Sequence, residues 1–253
     1  NTEILESDLY QLQGNYLYVQ NPLTGLNVID VSIPSAPVPH ARLEVTGEAG
    51  ELYVDEGRVT IVLSGDEVAC ELPDELDAAW TYEPARSEIF AISGAPSLPA
   101  VDSQYCLPGR VVATRMRSSV MYAATTGSQE SWLFAIDTVN PKHLQLREAI
   151  RLSGATQEIH VSEAGIFVAE VEGSSDTRVT YYAFETPSGY LQLGSSLVVL
   201  GTPQGRFHMD HYGDTFRIVT SVPWTRGFTL HTLFIDSDGR LFPLSQLSGA
   251  EGE

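Results

Sequence analysis

The segment LNVIDVSIPSAP (residues 26–37) sets the pattern of this chain, because an apolar stretch ends on an acidic residue and a proline-rich turn follows. Apolar stretches bounded by such turns are typical of β-strands. The arrangement recurs four more times, with the small polar residue Ser93 in place of the acidic residue in one copy. The further copies are SEIFAISGAPSLP (87–99), WLFAIDTVNP (132–141), VTYYAFETP (179–187) and, without proline, HTLFIDSDG (231–239).

Each copy lies among three other strand-like segments. A downstream segment ends on a glycine, and these glycines are Gly47, Gly109, Gly154, Gly201 and Gly249. Immediately upstream are NYLYV (15–19), RVTIV (58–62), SVMYA (119–123), GIFVA (165–169) and TFRIV (215–219). The first segment of each unit is LYQL (9–12), LYVD (52–55), VATR (112–115), IHVS (159–162) or FHMD (207–210). Four strands at a period of about 45 residues indicate a β-propeller.

We therefore predict an all-β chain, a single β-propeller domain over residues 1–253 built of four-stranded antiparallel blades. Its five blade units span about 8–50, 51–109, 110–154, 155–201 and 202–249. A closed five-bladed ring and an arc of a larger propeller both agree with this repeat. A single large sandwich would not require such regular spacing. The second unit is lengthened by an acidic insertion (64–87), in which Pro73 and Asp74 predict the start of a short helix.

The net charge of −19, from 14 basic and 33 acidic residues, argues against nucleic acid as a partner because a phosphate backbone would be repelled. No apolar run reaches the length of a membrane span. No phosphate-binding loop, dinucleotide fingerprint or nucleophile elbow occurs, so no cofactor is predicted. We expect the partner to be a protein or a small polar ligand.

The chain resembles bacterial secreted β-propeller-domain proteins that are distantly related to WD40 repeats. The residues that carry the resemblance are ESDLYQLQGNYLYV (6–19), TGLNVIDVSIPSAP (24–37) and QGRFHMDHYGDTFRIVTS (204–221). The resemblance implies a secreted, cell-surface or periplasmic location in a bacterium. It also implies that the propeller has further blades. These blades would belong either to the same chain or to a partner chain that completes the propeller. It carries over no catalytic residue.

The two cysteines, Cys70 within the acidic insertion and Cys106 beyond it, flank a single region of the chain. In an oxidising compartment they would pair and cross-link the longest loop, and two free buried thiols are the alternative. Two cysteines match no zinc-site pattern.

Candidate ligand-binding residues lie on the first strand of the units. Alignment of the units places Asp55, Arg115, Ser162 and Asp210 in one column, and His160 and His208 in the column two residues earlier on the same strand face. If this strand is innermost, these side chains line the mouth of the central channel. His208 and Asp210 share a strand face, but a third metal ligand is missing, so no metal site is predicted. Trp80 and Trp224 lie in loop-like segments, where they would pack at a blade edge or bind sugar or peptide.

Three functions fit these observations. We favour a non-enzymatic exported module that presents loops for protein or small polar ligand recognition. The second is a propeller hydrolase that acts on carbohydrate through channel-mouth carboxylates, whose spacing the sequence does not give. The third is a structural subunit of an extracellular assembly, in which end blades meet a partner chain.

Overall fold

The computed structural model describes residues 4–6, 9–45, 47–65, 70–77, 85–127, 130–185, 190–222 and 227–250. Trp80 and Trp224 lie outside these ranges. Over the described residues the chain is almost entirely β-structure, arranged in five antiparallel sheets whose strands follow one another in sequence order.

A short strand, β1 (Ile4–Glu6), precedes the repeat. Sheet 1 contains β2 (Tyr10–Gln13), β3 (Tyr16–Asn21), β4 (Gly25–Asp30) and β5 (Val38–Leu43). Sheet 2 contains β6 (Glu48–Asp55), β7 (Arg58–Gly65), β8 (Arg86–Ser93) and β9 (Ala100–Pro108), with helix α1 (Asp74–Asp77) in its insertion. Sheet 3 contains β10 (Arg110–Arg117), β11 (Val120–Thr126), β12 (Ser131–Asp137) and β13 (Gln145–Arg151), and β1 pairs with the free side of β10.

Sheet 4 contains β14 (Thr156–Val161), β15 (Gly165–Glu172), β16 (Asp176–Phe184) and β17 (Leu191–Leu200). The short 3-10 helix η1 (Arg206–His208) leads into sheet 5, which contains β18 (Met209–Tyr212), β19 (Thr215–Ser221), β20 (Gly227–Ile235) and β21 (Leu241–Ala250). Five four-stranded antiparallel repeats confirm the predicted all-β fold of propeller blades. The short helix predicted at Pro73–Asp74 is also confirmed.

The chain divides into two compact units. The first covers Glu3–Gln129 and Leu133–Ala149 and contains sheets 1 and 2 with most of sheet 3. The second covers Glu130–Trp132 and Ile150–Glu253 and contains sheets 4 and 5. That all five sheets form a single domain stays a prediction.

Each unit has its own apolar core between neighbouring sheets. In the first, sheets 1 and 2 bury Tyr18, Leu26, Val28, Leu52, Val59, Ile61, Leu63, Phe90 and Ile92. In the second, sheets 4 and 5 bury Phe167, Val179, Tyr181, Phe216, Ile218, Leu233 and Ile235. Alternating burial along β20 shows that mainly one face of this strand packs on a core, as the period of two in a strand requires.

Two of the glycines that close the repeat units, Gly109 and Gly201, are required there for the same structural reason. Both have positive φ, at 79° and 85°, and each carbonyl accepts a hydrogen bond from a hydroxyl of its own sheet. Ser87 Oγ donates to the Gly109 carbonyl at 2.8 Å, and Thr177 Oγ1 to the Gly201 carbonyl at 2.7 Å. A Cβ at either glycine would lie 2.9 Å from an oxygen atom, so a side chain is excluded there.

The alignment of the first strands is wrong by two residues in sheets 3 and 5. In sheet 2 the hairpin closes at Asp55 and Arg58, but in sheet 3 it closes at Arg117 and Val120. In sheet 5 it closes at Tyr212, so Arg117 and Tyr212 are the true counterparts of Asp55. A slip of two residues preserves which side chains face the core, and the apolar pattern therefore cannot detect it.

The start of the fifth unit also differs from the prediction. His208 lies in η1 rather than on the strand, which begins at Met209. Phe207, the first residue of FHMD, is 78% exposed, whereas Leu52 and Ile159, the first residues of LYVD and IHVS, are fully buried. Leu9, the first residue of LYQL, is 46% exposed.

Candidate functional site: a cleft between sheets 2 and 3

A cleft of about 330 Å³ lies in the first unit, where the hairpin turns of sheets 2 and 3 meet. This volume is within the range of small-molecule sites. Its wall is formed by Tyr53, Asp55, Arg58, Val59, Thr60, Ala91, Ile92, Met116, Ser118, Ser119, Thr138 and Pro141. Except for Pro141, the apolar members come from the strands, and most of the polar members lie in turns or at the strand ends that flank them.

Two turns at the cleft have an unusual backbone. The first residue of the hairpin turn has positive φ in sheets 1, 2, 3 and 5, and in sheets 1 and 5 it is a glycine, Gly14 or Gly213. In sheets 2 and 3 it is Glu56 (φ 45°) and Ser118 (φ 53°). Because a side chain in this region costs on the order of 1–2 kcal/mol, strained backbone concentrates at functional sites. Among the described residues, the non-glycine residues with positive φ lie in the two turns that border the cleft.

An ion pair stands at the cleft, between the two ends of the sheet 2 hairpin. Arg58 Nη2 donates to Asp55 Oδ2 at 2.8 Å, and both side chains are about half exposed. Such an exposed pair contributes little to stability, about 0–1 kcal/mol. Both groups therefore remain accessible to a ligand at small cost to the fold.

Hydrogen bonds between the two sheets hold the cleft open in a fixed shape. At the back, Tyr53 Oη and Thr114 Oγ1 are 2.7 Å apart, and Thr114 is also hydrogen-bonded to Glu51. At the front, Ser103 Oγ of sheet 2 donates to the Pro141 carbonyl of sheet 3 at 2.6 Å. Preformed walls reduce the ordering cost of binding.

The turns are braced as well. Thr138 donates through its backbone N–H and its Oγ1 to the Ser119 carbonyl, at 2.8 and 2.9 Å. From sheet 1, Gln13 Oε1 accepts from the Gly57 N–H at 3.2 Å and Gln11 Oε1 from the Val54 N–H. Side chains of sheet 1 therefore hold the strained turn of sheet 2, and Thr138 holds that of sheet 3.

The chemistry of the wall is mixed. An apolar strip of Val59, Ile92 and Met116 suits a small apolar surface, and the hydroxyls of Ser118 and Ser119 with the Asp55–Arg58 pair suit polar groups. Asp55 is the single carboxylate in the described wall, whereas glycoside hydrolysis ordinarily needs two. The arrangement suits binding better than hydrolysis.

The predicted channel-mouth residues are divided between the two compact units, and that they line one channel stays a prediction. Asp55 lies in the cleft wall, whereas Arg115 of β10 is buried, is not part of that wall and donates from Nη1 to the Thr114 carbonyl at 2.7 Å. His160, His208 and Asp210 belong to the second unit. Asp210 is paired with Arg217 across the sheet 5 ladder, and His208 Nδ1 accepts from the Gln204 N–H at 2.8 Å.

His160 has aromatic neighbours. Its ring centroid is 6.3 Å from those of Phe167 and Phe216, which stack on each other at 4.0 Å between sheets 4 and 5. His211 lies 5.2 Å from Phe167, and burial lowers the pKa of His211. The histidines of this junction are placed to pack against rings.

Sequence reasoning missed Arg58, Met116, Ser118, Ser119, Thr138 and Pro141. A signal was present, because DEGR (55–58) and RSSV (117–120) are both two-residue hairpin turns between apolar strands. Alignment anchored on these turns would have placed Ser118 beside Glu56 and pointed to the turns of sheets 2 and 3.

No group of acidic, histidine or cysteine side chains suited to a metal ion occurs among the described residues.

Cys70 and Cys106 form a disulfide with an S–S distance of 1.99 Å, which joins the insertion to β9. Nearby, Tyr105 donates to Glu75 Oε1 of α1 at 3.1 Å, and burial raises the pKa of Tyr105. No helix in the described part of the chain has the length and apolar character needed to cross a membrane.

Comparison with known proteins agrees with the fold. Residues 125–253, just over half of the chain, match the family model described as a β-propeller domain. Residues 10–42, which cover sheet 1 except for Leu43, match the model described as an LVIVD repeat. No curated protein matches the chain. The chain belongs to the β-propeller domain family.

Proposed function

We propose that this chain is a non-enzymatic, exported binding module that holds a small polar ligand in the cleft between sheets 2 and 3. The observation that carries the proposal is the combination of a preformed cleft with two strained turns that keep side chains where sheets 1 and 5 have glycine. The single, paired carboxylate in the wall favours binding over hydrolysis.

Export is the second part of the proposal. The Cys70–Cys106 bond is compatible with an oxidising compartment, since disulfides form and persist outside the reducing cytosol. The net charge of −19 further suits a soluble surface that meets neutral or basic ligands.

Fragment screening by NMR tests the binding proposal. A library of small polar fragments with one apolar face should shift the amide signals of residues 55–60 and 116–120. Ser119→Trp should abolish these shifts, because the indole fills the cleft. Asp214→Trp is the matched control, since Asp214 occupies the same turn position in sheet 5, and it should leave them unchanged. Fragments that shift signals only elsewhere, or no signals at all, would contradict the proposal.

A further inference from the structure

Sheet 3 differs from the other four sheets in having a fifth strand. Strand β1 pairs antiparallel with β10, with Ile4 opposite Arg117, Leu5 opposite Met116 and Glu6 opposite Arg115. Within the described residues, the first strands of the other sheets, β2, β6, β14 and β18, have no such added strand. The open edge of a first strand is therefore able to accept an extended segment. In this chain the added strand β1 pairs with β10.

Strand β10 differs in charge from the first strands of the other sheets. The sequence of β10, RVVATRMR, carries three of the 14 basic residues of the chain and no acidic one. The corresponding strand β6, EAGELYVD, has three acidic residues and no basic one, and β2, β14 and β18 have neither lysine nor arginine. The segment that pairs with β10 comes from NTEILESD (1–8), with three acidic residues and no basic one.

We infer that the edge of β10 is a docking site for an extended acidic peptide, which a partner chain would add as a strand and which β1 occupies within this chain. Main-chain hydrogen bonds supply the affinity of strand addition, and side chains supply the specificity. Directly opposite residues of an antiparallel pair lie on the same face, and this register places Glu6 opposite Arg115 and Ile4 opposite Arg117, so an acidic residue in place of Ile4 would stand opposite the second arginine.

The strand already present is short enough to be displaced. Only three residues of β1 pair with β10, which is eight residues long. Each backbone hydrogen bond contributes a net of about 0.5–1.5 kcal/mol, so a three-residue ladder is weakly held. A segment tethered to its own site nevertheless acts at an effective concentration in the millimolar range, and it competes with any external peptide.

The experiment uses the full chain and a fluorescein-labelled peptide of sequence NTEILESD. Leu5→Pro in the chain removes a backbone N–H from β1 and disfavours its pairing. We expect this variant to bind the peptide, by fluorescence anisotropy, at least tenfold more tightly than the unaltered chain. Amide exchange at residues 115–117 should be faster in the variant and slow again when the peptide is added. Equal binding by the two chains, or none by the variant, would overturn the inference.

Two control peptides separate main-chain pairing from charge. NTEIPESD, which carries proline at the central position, should not bind the Leu5→Pro chain. NTQILQSN, which lacks the three carboxylates, should bind it at least fivefold more weakly at low salt. Equal binding of the charged and uncharged peptides would overturn the acidic specificity. Ser119→Trp introduced into the Leu5→Pro chain fills the cleft but leaves the edge intact, so peptide binding should persist in it even if the proposed ligand cleft is wrong.

Discussion

The junction between sheets 2 and 3 and the junction between sheets 4 and 5 are built from the same repeat but are filled differently. Between sheets 4 and 5, Phe167 and Phe216 stack at 4.0 Å and are fully buried. Between sheets 2 and 3, smaller side chains and a Tyr53–Thr114 hydrogen bond leave a cleft of about 330 Å³. A propeller repeat thus fixes the strands, and the size of a few side chains decides whether a junction is closed or open.

Truncation of the stacked ring should produce the largest effect. Phe216→Ala removes a fully buried ring from the sheet 4–5 junction, and it should lower the free energy of unfolding by about 3–5 kcal/mol. Met116→Ala at the cleft should cost less, about 1–2 kcal/mol, because its side chain already borders open space. Urea denaturation measures both. Equal losses would show that the two junctions are packed alike.

Removal of the disulfide should cause the next largest loss of stability, and this loss should be confined to the first unit. The Cys70–Cys106 bond closes a loop with a sequence separation of 36 residues, so Cys70→Ser with Cys106→Ser should destabilise this unit by about 2–4 kcal/mol. Hydrogen exchange read by mass spectrometry should show faster exchange in β8 and β9. Faster exchange in β19 and β20 of similar size would contradict this assignment.

Acid should weaken the closed junction. Burial lowers the pKa of His211, although Asp210 and Asp214 partly oppose this, and burial also lowers the pKa of His231. Because the folded chain binds these protons less readily than the unfolded chain, the stabilisation is present above pH 6.5 and is lost as the pH falls below it. Urea midpoints should fall between pH 7.5 and pH 5.

A variant tests the source of this pH dependence. His211→Gln should flatten part of the profile, whereas Ser119→Ala at the cleft should leave it unchanged, since no histidine lies in the described cleft wall. An identical pH profile in His211→Gln and the unaltered chain would exclude His211 as a source.

Exchange of turn residues should have the smallest effect. Ser118→Gly relieves positive φ and should stabilise the chain by about 0.5 kcal/mol, since part of the relief is lost to unfolded-state entropy. Gly213→Ser, the reverse change at the matching turn of sheet 5, should destabilise by about 1 kcal/mol. Thermal unfolding measures both. Destabilisation by Ser118→Gly would show that the Ser118 side chain is a structural element of the turn.

Much of the fold could be predicted from the sequence, because strand length, turn residues and period are local properties. The five repeats, the four strands in each, the helix after Pro73 and the turn at DSDG (236–239) all follow from such patterns. In that turn Asp236 Oδ1 accepts from the N–H groups of Asp238 and Arg240. Asp55 was the one predicted ligand residue that the structure places in the cleft.

Tertiary structure alone decided the register of the first strands and the place of the cleft. Apolar alternation has a period of two, so it determined which residues of β10 share a face but not whether Arg115 or Arg117 matches Asp55. Whether a junction is filled depends on side chains that lie some 60 residues apart in sequence, such as Tyr53 and Thr114. The pairing of β1 with β10 is likewise a contact between segments far apart in sequence. The sequence supplies the opposite charges, but only the fold brings the two strands together.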